Sequence, residues 1–112
     1  MEDREYILRR TMSAEFQTMR ENSIYVSHFK YGWPEDTYGR DTCPASALAN
    51  LEKRLEAYKK TGNKDYLVDI ANFADLEFQY PSLPNAHLNR NNESEQPKFV
   101  GVTGKEIASW NE

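Results

Sequence analysis

The chain has 112 residues, a formal net charge of −4, 38% hydrophobic and 12% aromatic residues, and a single cysteine. This length suits one domain over residues 1–112, and the acidic balance argues against a general nucleic-acid-binding surface. The lone Cys43 excludes an internal disulfide and suits a reducing cytosol. No apolar run approaches the roughly 18 residues of a membrane span, and no signal-peptide core is present.

The hydrophobic content is low for a chain with seven Tyr, five Phe and two Trp. Large rings beside few aliphatic residues predict that part of the aromatic surface is covered by another copy of the chain. We therefore expect a cytoplasmic homo-oligomer without membrane contact.

Residues 3–20 predict an N-terminal helix, because apolar residues recur at helical spacing: Leu8, Met12, Phe16 and Met19. Ser13 can interrupt this helix as a cap. The helix also carries Arg9, Arg10 and Arg20. A solvated face is the favoured interpretation of these arginines, and a row facing an anion is the alternative.

Residues 21–43 have a different character. Ile24 and Val26 alternate with Tyr25 and Ser27, which permits a short extended strand. The stretch after it mixes chain-breaking residues with rings: Tyr31, Gly32, Trp33, Pro34, Tyr38 and Gly39. Rings in such a loop pack in the core, in a subunit contact or around a planar ligand, and packing is the favoured outcome.

The clearest prediction is an antiparallel hairpin of two helices over residues 44–80, joined at residues 61–63. One face of the first helix carries Leu48, Leu51, Leu55 and Tyr58. Pro44 suits the first turn of this helix, and Gly62 suits the position just past its end. The second helix is expected to begin at a cap formed by Asn63 and to end before Pro81. Its buried side is predicted to comprise Leu67, Ile70, Ala71, Ala74 and Phe78, with Phe73 beside them.

The remaining chain divides into a loop and a short helix. Residues 81–102 contain three prolines and several asparagines, which predicts a long loop. Thr103 and Glu106 form a capping-box pattern that opens a short helix reaching Trp110. The predicted fold is therefore mainly α: an N-terminal helix packed on a central antiparallel helical hairpin, long ordered loops and a short C-terminal helix.

The second hairpin helix carries an acidic ribbon at steps of four, three and three residues: Asp65, Asp69, Asn72 and Asp75. Carboxylates on facing helices can hold magnesium, and DYLVDIANFADLEF resembles the acidic second helix of all-α nucleotide pyrophosphohydrolases. That family has Glu-x-x-Glu on the preceding helix, whereas here Glu52 and Glu56 are four residues apart. A solvated helix face is therefore favoured. We expect no catalytic residue, metal site or cofactor, and such a hydrolase remains an alternative function.

A longer stretch, NLEKRLEAYKKTGNKDYLVDIANFADLEFQYPSLPNAH, resembles small phage-encoded proteins and, among them, the first type of Thoeris anti-defence protein. The resemblance covers about a third of the chain and rests on its general pattern. It implies a largely helical, oligomeric, non-enzymatic sponge that sequesters a host cyclic nucleotide signal, of the cyclic ADP-ribose type or a cyclic oligonucleotide, inside the infected cell. A protein-binding inhibitor of a host defence complex, with the aromatic loop as its contact surface, is the second alternative.

A nucleotide sponge needs a flat surface for the base, donors for the phosphates, and amides for the base edge or ribose. The end of the second hairpin helix and the loop after it offer all three. Phe78 or Tyr80 can stack on a base, although core packing is favoured for Phe78, and Arg90 can bind a phosphate. The other candidates read polar edges or add positive charge: Arg54, His87, Asn89, Asn92 and Lys105. For Arg90 and Asn92, a solvated loop is an equal alternative.

Overall fold

The computed structural model describes residues 3–38 and 46–89, and within these two stretches it contains five helices and no strand. The helices are α1 (Arg4–Thr11), α2 (Ala14–Tyr31), α3 (Pro34–Thr37), α4 (Ala47–Thr61) and α5 (Asp65–Gln79). The prediction of a mainly α protein is confirmed. The short helix predicted to open at Thr103 and reach Trp110 lies outside the described residues.

The N-terminal helical region is divided in two by a capping residue. The Asp3 side chain accepts a hydrogen bond from the backbone N–H of Tyr6, 2.8 Å away, at the start of α1. The Ser13 hydroxyl accepts one from the backbone N–H of Phe16, 3.0 Å away, at the start of α2. Each bond satisfies an N–H that has no partner within its own helix. The interruption predicted at Ser13 is therefore confirmed.

The strand predicted around Ile24 and Val26 is wrong, because α2 continues through this stretch to Tyr31. The alternation of side chains was compatible with either structure. A helix satisfies its own backbone polar groups, whereas a strand here has no partner strand within the described residues. Gly32 ends α2 with φ of 76° and donates its N–H to the His28 carbonyl oxygen at 2.8 Å. Pro34 then opens the short α3, where its missing N–H is no loss.

The connection between α4 and α5 is short and locally specified. Gly62 ends α4 in the left-handed conformation, with φ of 70°, and donates its N–H to the Tyr58 carbonyl oxygen at 2.7 Å. The Asn63 side-chain oxygen accepts from the backbone N–H of Asp65 at 3.1 Å. This is the expected capping residue, displaced by one position, since Lys64 is the residue at the helix boundary. The predicted end before Pro81 is confirmed, because α5 finishes at Gln79.

The start of α4 differs from the prediction. Ser46 caps the helix, and its hydroxyl accepts from the backbone N–H of Ala49 at 3.1 Å. The first helical residue is therefore Ala47. Pro44, which was predicted to occupy the first turn, lies outside the described residues.

Helix α5 is the centre of the packing: α4 contacts it most extensively, and α2 packs on it as well. Among the described residues only Ala47 and Val68 are buried. Leu48, Leu51 and Tyr58 are half-buried as predicted, but Leu55 is 38% exposed and Arg54 is partly covered in its place. The inner face of α4 therefore follows Ala47, Leu51, Arg54 and Tyr58. That series has the same helical spacing, but its third member is an arginine whose charge is paired on α5.

The predicted buried side of α5 is also only partly right. Leu67, Ile70, Ala71 and Phe73 are half-buried, whereas Ala74 is exposed and the Phe78 ring is 72% exposed. Arg54 on α4 and Asp69 on α5 bond to each other. Counting seven residues from this pair toward the start of α4, and seven toward the end of α5, sets Ala47 opposite Leu76. Phe78 thus lies past the beginning of α4, which explains why α4 does not cover it.

Candidate functional site

Three of the four members of the acidic ribbon of α5, namely Asp69, Asn72 and Asp75, bond to arginines on other helices. Asp69 accepts a hydrogen bond through Oδ2 from Nε of Arg54 at 3.3 Å. The Arg54 guanidinium also lies over the Phe73 ring, 5.7 Å from its centroid, in a cation–π contact. Arg54 was predicted to contribute positive charge to a ligand, and the structure places it in the contact between α4 and α5.

Arg20 holds the opposite flank of the ribbon. Its Nε donates to Oδ1 of Asn72 at 2.9 Å, and its Nη2 donates to Oδ2 of Asp75 at 3.2 Å. The Asn72 side-chain amide donates in return to the Arg20 carbonyl oxygen at 3.3 Å. The Arg20 side chain is only 20% exposed, so these bonds are partly shielded from water. We call the set of Arg20, Asn72 and Asp75 the α2–α5 clamp.

The solvated-face interpretation of the ribbon is therefore corrected at Asp69, Asn72 and Asp75, which hold α4 and α2 against α5. The same observation settles how Arg20 is used: it faces a carboxylate of its own chain. Within residues 3–38 and 46–89, no three side chains among His, Cys, Asp and Glu are grouped as a metal ion would require. Asp69 and Asp75 could ligate a metal ion only in competition with Arg54 and Arg20, respectively.

Sequence reasoning singled out the ribbon but did not find its partners. Arg20 lies 52 residues before Asn72 and 55 before Asp75. No local pattern links residues so far apart. The sequence did contain one indication of this pairing: α2 carries an arginine, and α5 carries a row of hydrogen-bond acceptors.

The end of α5 presents an exposed ring. Phe78 is 72% exposed, so its predicted core packing is wrong. Tyr80 is half-buried and ends the helix, with its N–H donated to the Leu76 carbonyl oxygen at 2.8 Å. The structure thus supplies, at one helix end, an accessible aromatic face and a second ring two residues further along the chain.

The segment after α5 is fixed to the helix by Glu77. The Glu77 carboxylate accepts hydrogen bonds from the Ser82 backbone N–H at 2.8 Å and from the Ser82 hydroxyl at 3.1 and 3.0 Å. The chain then turns, with the Ala86 N–H bonded to the Leu83 carbonyl oxygen at 3.1 Å. His87 is exposed, and its Nδ1 lies 3.0 Å from the Asn85 carbonyl oxygen. Asn89 is exposed as well.

The predicted site is thus only partly visible. The structure places Phe78, Tyr80, His87 and Asn89 on α5 and the segment that Glu77 anchors, and it places Arg54 apart from them on the inner face of α4. The remaining candidates, Arg90, Asn92 and Lys105, lie outside the described residues.

A second exposed surface lies at the end of α2. Four rings touch in sequence: Tyr25 and Phe29 have centroids 5.1 Å apart, Phe29 and His28 5.5 Å, and His28 and Trp33 4.5 Å, all in edge-on arrangements. Tyr25 is 68%, Phe29 72% and Trp33 61% exposed. We call these four residues the α2 ring cluster. Trp33 and Tyr31, which is 72% exposed, therefore do not pack in the core of this chain, and their packing in a subunit contact stays a prediction.

Tyr38 is the ring of this region that the fold does cover in part. Burial of its phenol, with a further contribution from neighbouring Tyr31, raises the pKa of Tyr38 above the ordinary value of 10.0. Its hydroxyl therefore stays protonated and neutral at physiological pH.

Neither a protein-family model nor a curated protein nor a solved structure gave a significant match to this chain. Within the described part of the chain, no helix combines the length and apolar character needed to cross a membrane.

Proposed function

We propose that this protein is a non-enzymatic phage counter-defence protein that binds and sequesters a host cyclic nucleotide signal, of the cyclic ADP-ribose type or a cyclic oligonucleotide. Its fold in this proposal is an antiparallel hairpin of α4 and α5 with the N-terminal helices packed on it and a short helix at the C-terminus. The ligand lies at the end of α5 and the segment after it, in the cytoplasm of the infected cell.

The observation that carries the proposal is the exposed ring of Phe78 beside a polar segment that Glu77 anchors. An aromatic ring left open at a helix end costs a monomer hydration free energy, and it gives a base a face on which to stack. Tyr80, His87 and Asn89 follow within eleven residues. The resemblance to phage nucleotide sponges supplies the ligand class. Arg90 is proposed to bind phosphate, with Asn92 and Lys105 as further polar contacts.

The pairing of the acidic ribbon favours a binding protein over a nucleotide pyrophosphohydrolase. Magnesium-dependent hydrolysis needs carboxylates that can ligate the metal. Here Asp69 is held by Arg54, and Asp75 by Arg20. A second candidate function, inhibition of a host defence complex by protein binding, is favoured by the exposed α2 ring cluster, which offers an apolar contact surface.

One experiment separates these functions. The protein is incubated with candidate cyclic nucleotides, freed of unbound ligand, and denatured by heat, and the released nucleotide is identified by chromatography. We expect intact nucleotide. Altered nucleotide would establish an enzyme instead, and the absence of uptake with every candidate would favour a protein partner.

The site is tested by a pair of matched variants, since Phe78 and Phe29 are both phenylalanines with 72% exposure. Phe78→Ala should weaken nucleotide binding by about 1–3 kcal/mol, the usual contribution of stacking one base on a ring. Phe29→Ala, on α2, should leave it nearly unchanged. Equal losses in both variants would place the ligand elsewhere.

Arg90→Ala tests the phosphate contact. It should leave thermal stability nearly unchanged and reduce binding by about 1.5–3 kcal/mol, the contribution of a charged hydrogen bond. Binding of every candidate nucleotide at the parent's affinity, measured by isothermal titration calorimetry, would exclude Arg90 as the phosphate-binding residue.

A further inference from the structure

We infer that Arg20, on α2, is a positioning residue for the proposed nucleotide site at the end of α5. Through Asp75 and Gln79 it holds the last turn of this helix, which carries the exposed Phe78 ring. The inference rests on the proposed function, because it takes this ring as the surface on which a base stacks. It assigns to the α2–α5 clamp an effect on ligand affinity in addition to its effect on stability.

The end of α5 lacks a charge that the other long helices supply for themselves. The last turns of α1, α2 and α4 each carry basic residues, whereas the last turn of α5 carries none. The backbone carbonyl groups at the end of a helix leave a partial negative charge, which a nearby cation stabilises. A cation that stabilises the end of α5 therefore has to come from another element.

Arg20 reaches this end of α5 from α2. Its Nη2 donates to Oδ2 of Asp75 at 3.2 Å. The other oxygen of the same carboxylate, Oδ1, accepts from Nε2 of Gln79, the last residue of α5, at 2.8 Å. Asp75 lies four residues before Gln79 and three before Phe78, so its side chain lies on the same side of the helix as theirs. A chain of polar contacts thus runs from α2 to the turn that presents the ring.

The Arg20 guanidinium is itself held through all three of its nitrogen atoms. Besides the bond to Asp75, Nε donates to Oδ1 of Asn72 at 2.9 Å, and Nη1 donates to Oε1 of Gln17 at 3.4 Å. The Arg20 side chain is 20% exposed, whereas that of Asp75 is 49% exposed. Hydrogen bonds are electrostatically stronger where water is partly excluded. The arginine is therefore the fixed member of the chain of contacts, and the carboxylate passes its position on to the outer turn.

An ordered end of α5 affects affinity because helix ends fray and a ligand loses entropy when it must order a moving segment. If the last turn is held before binding, this loss is smaller, and affinity rises without any contact between Arg20 and the ligand. The coupling is reciprocal, so a bound nucleotide should also hold α2 more tightly on α5. Removal of the Asp75 charge should by electrostatics alone favour an anionic nucleotide, whereas loss of positioning should weaken its binding. The two effects therefore have opposite signs.

Isothermal titration calorimetry with the cyclic nucleotide that the parent takes up tests the effect on affinity. Arg20→Ala, Asp75→Ala and Gln79→Ala should each raise the dissociation constant by about threefold to tenfold, the effect of about one hydrogen bond. Asn72→Ala is the matched control within the α2–α5 clamp, because it loosens α2 but leaves the contacts to the end of α5. It should leave the dissociation constant nearly unchanged at a temperature where circular dichroism shows every variant folded.

Two results of this titration would overturn the inference. Equal losses of affinity in all four variants would mean that affinity follows overall stability. Unchanged or tighter binding by Asp75→Ala would mean that the ligand senses only the charge of this residue.

Amide hydrogen exchange tests the inference without a ligand and so separates it from the proposed function. The Tyr80 N–H, bonded to the Leu76 carbonyl oxygen at 2.8 Å, reports on the last turn of α5. It should exchange about threefold to tenfold faster in Arg20→Ala and Gln79→Ala than in the parent or in Asn72→Ala. If this pattern is found but the parent takes up no nucleotide, the proposed function fails while the hold of Arg20 on α5 is supported. Nucleotide uptake with the same Tyr80 exchange in all variants would overturn the inference and leave the proposed function standing.

Discussion

The α4–α5 pair and the second half of α2 differ in what covers their apolar side chains. Both carry large apolar side chains at helical spacing. In the first region these side chains face a neighbouring helix, and the polar residues among them are paired, as Arg54 and Asp69 are. In the second region the rings touch one another along α2 and remain exposed. Apolar side chains thus lie at helical spacing in both regions, but this spacing does not show whether the surface that covers them lies in the same chain.

The largest expected effect on stability comes from replacing a valine with aspartate, once in each of the two regions. Val68 is 2% exposed on α5, and Val26 is 53% exposed on α2. Val68→Asp should destabilise the fold by about 3–5 kcal/mol, because it leaves an unpaired charge buried. The measurement is chemical denaturation followed by circular dichroism.

Val26→Asp is the matched control for this change. It introduces the same group at an exposed position, so it should keep the helical signal and affect mainly self-association. Comparable losses of helical signal in the two variants at low protein concentration would mean that the two regions do not differ in burial.

The next effect concerns the α2–α5 clamp, which connects the two regions. Arg20→Ala should reduce the free energy of unfolding by about 1.5–3 kcal/mol, because Asn72 and Asp75 lose a partly shielded charged partner. A double-mutant cycle with Asp75→Ala isolates the ion pair. Arg54→Ala should reduce the free energy of unfolding by about 1 kcal/mol or less, because the Arg54 side chain is 36% exposed whereas that of Arg20 is 20% exposed. The reverse order would show that α4 depends on its arginine more than α2 does.

Leu55 sharpens the description of the α4 face. A fully buried leucine truncated to alanine costs about 2–5 kcal/mol. Leu55 is 38% exposed, so Leu55→Ala should cost only about 1 kcal/mol in thermal denaturation. A loss of about 2–5 kcal/mol would instead show that Leu55, and not Arg54, lies on the inner face of α4.

The smallest effect is confined to alkaline pH. The pKa of Tyr38 is raised in the folded protein, so the unfolded chain releases this proton first as pH increases. The stability that depends on the neutral phenol is complete below pH 10 and is lost as pH rises through the raised pKa. Tyr38→Phe cannot ionise, and its unfolding free energy should fall less steeply above pH 10. Identical pH profiles for parent and variant would contradict the partial burial of this ring.

Much of the fold could be predicted from the sequence because its signals are local. Gly62 needs no contact beyond its own turn to end a helix, and Ser13 and Asn63 bond to backbone groups two or three residues away. It was harder to predict which side of α4 faces α5, since either Arg54 or Leu55 fits the inner face of an amphipathic helix. Only the position of Asp69 on the neighbouring helix favours the arginine. The exposure of Phe78 depends on where α4 begins, and no residue near Phe78 encodes that.

The candidate site could be predicted less well, because it depends on chain segments that local patterns do not join. Sequence reasoning gave residue types suited to a nucleotide, and the structure places Phe78 in the open with His87 and Asn89 on the segment after it. It assigns Arg54 to a structural contact. The clamp residue Arg20 bonds to acceptors more than fifty positions away. The α2 ring cluster connects Tyr25, from the stretch where a strand was considered possible, with Trp33, from the loop predicted after it.

The spacing of the two arginine contacts along the chain has a kinetic consequence. Arg54 reaches a partner 15 residues away, whereas Arg20 must close a loop of 52 residues to reach Asn72. Loop-closure entropy grows with length by about 0.6 kcal/mol for each doubling, so α4 and α5 associate early and α2 docks afterwards. Arg54→Ala should therefore slow folding, while Arg20→Ala should mainly accelerate unfolding. Stopped-flow measurements that assign the slower folding to Arg20→Ala would reverse this order. The α2–α5 clamp would then belong to the folding nucleus, rather than being a late contact that mainly determines the unfolding rate.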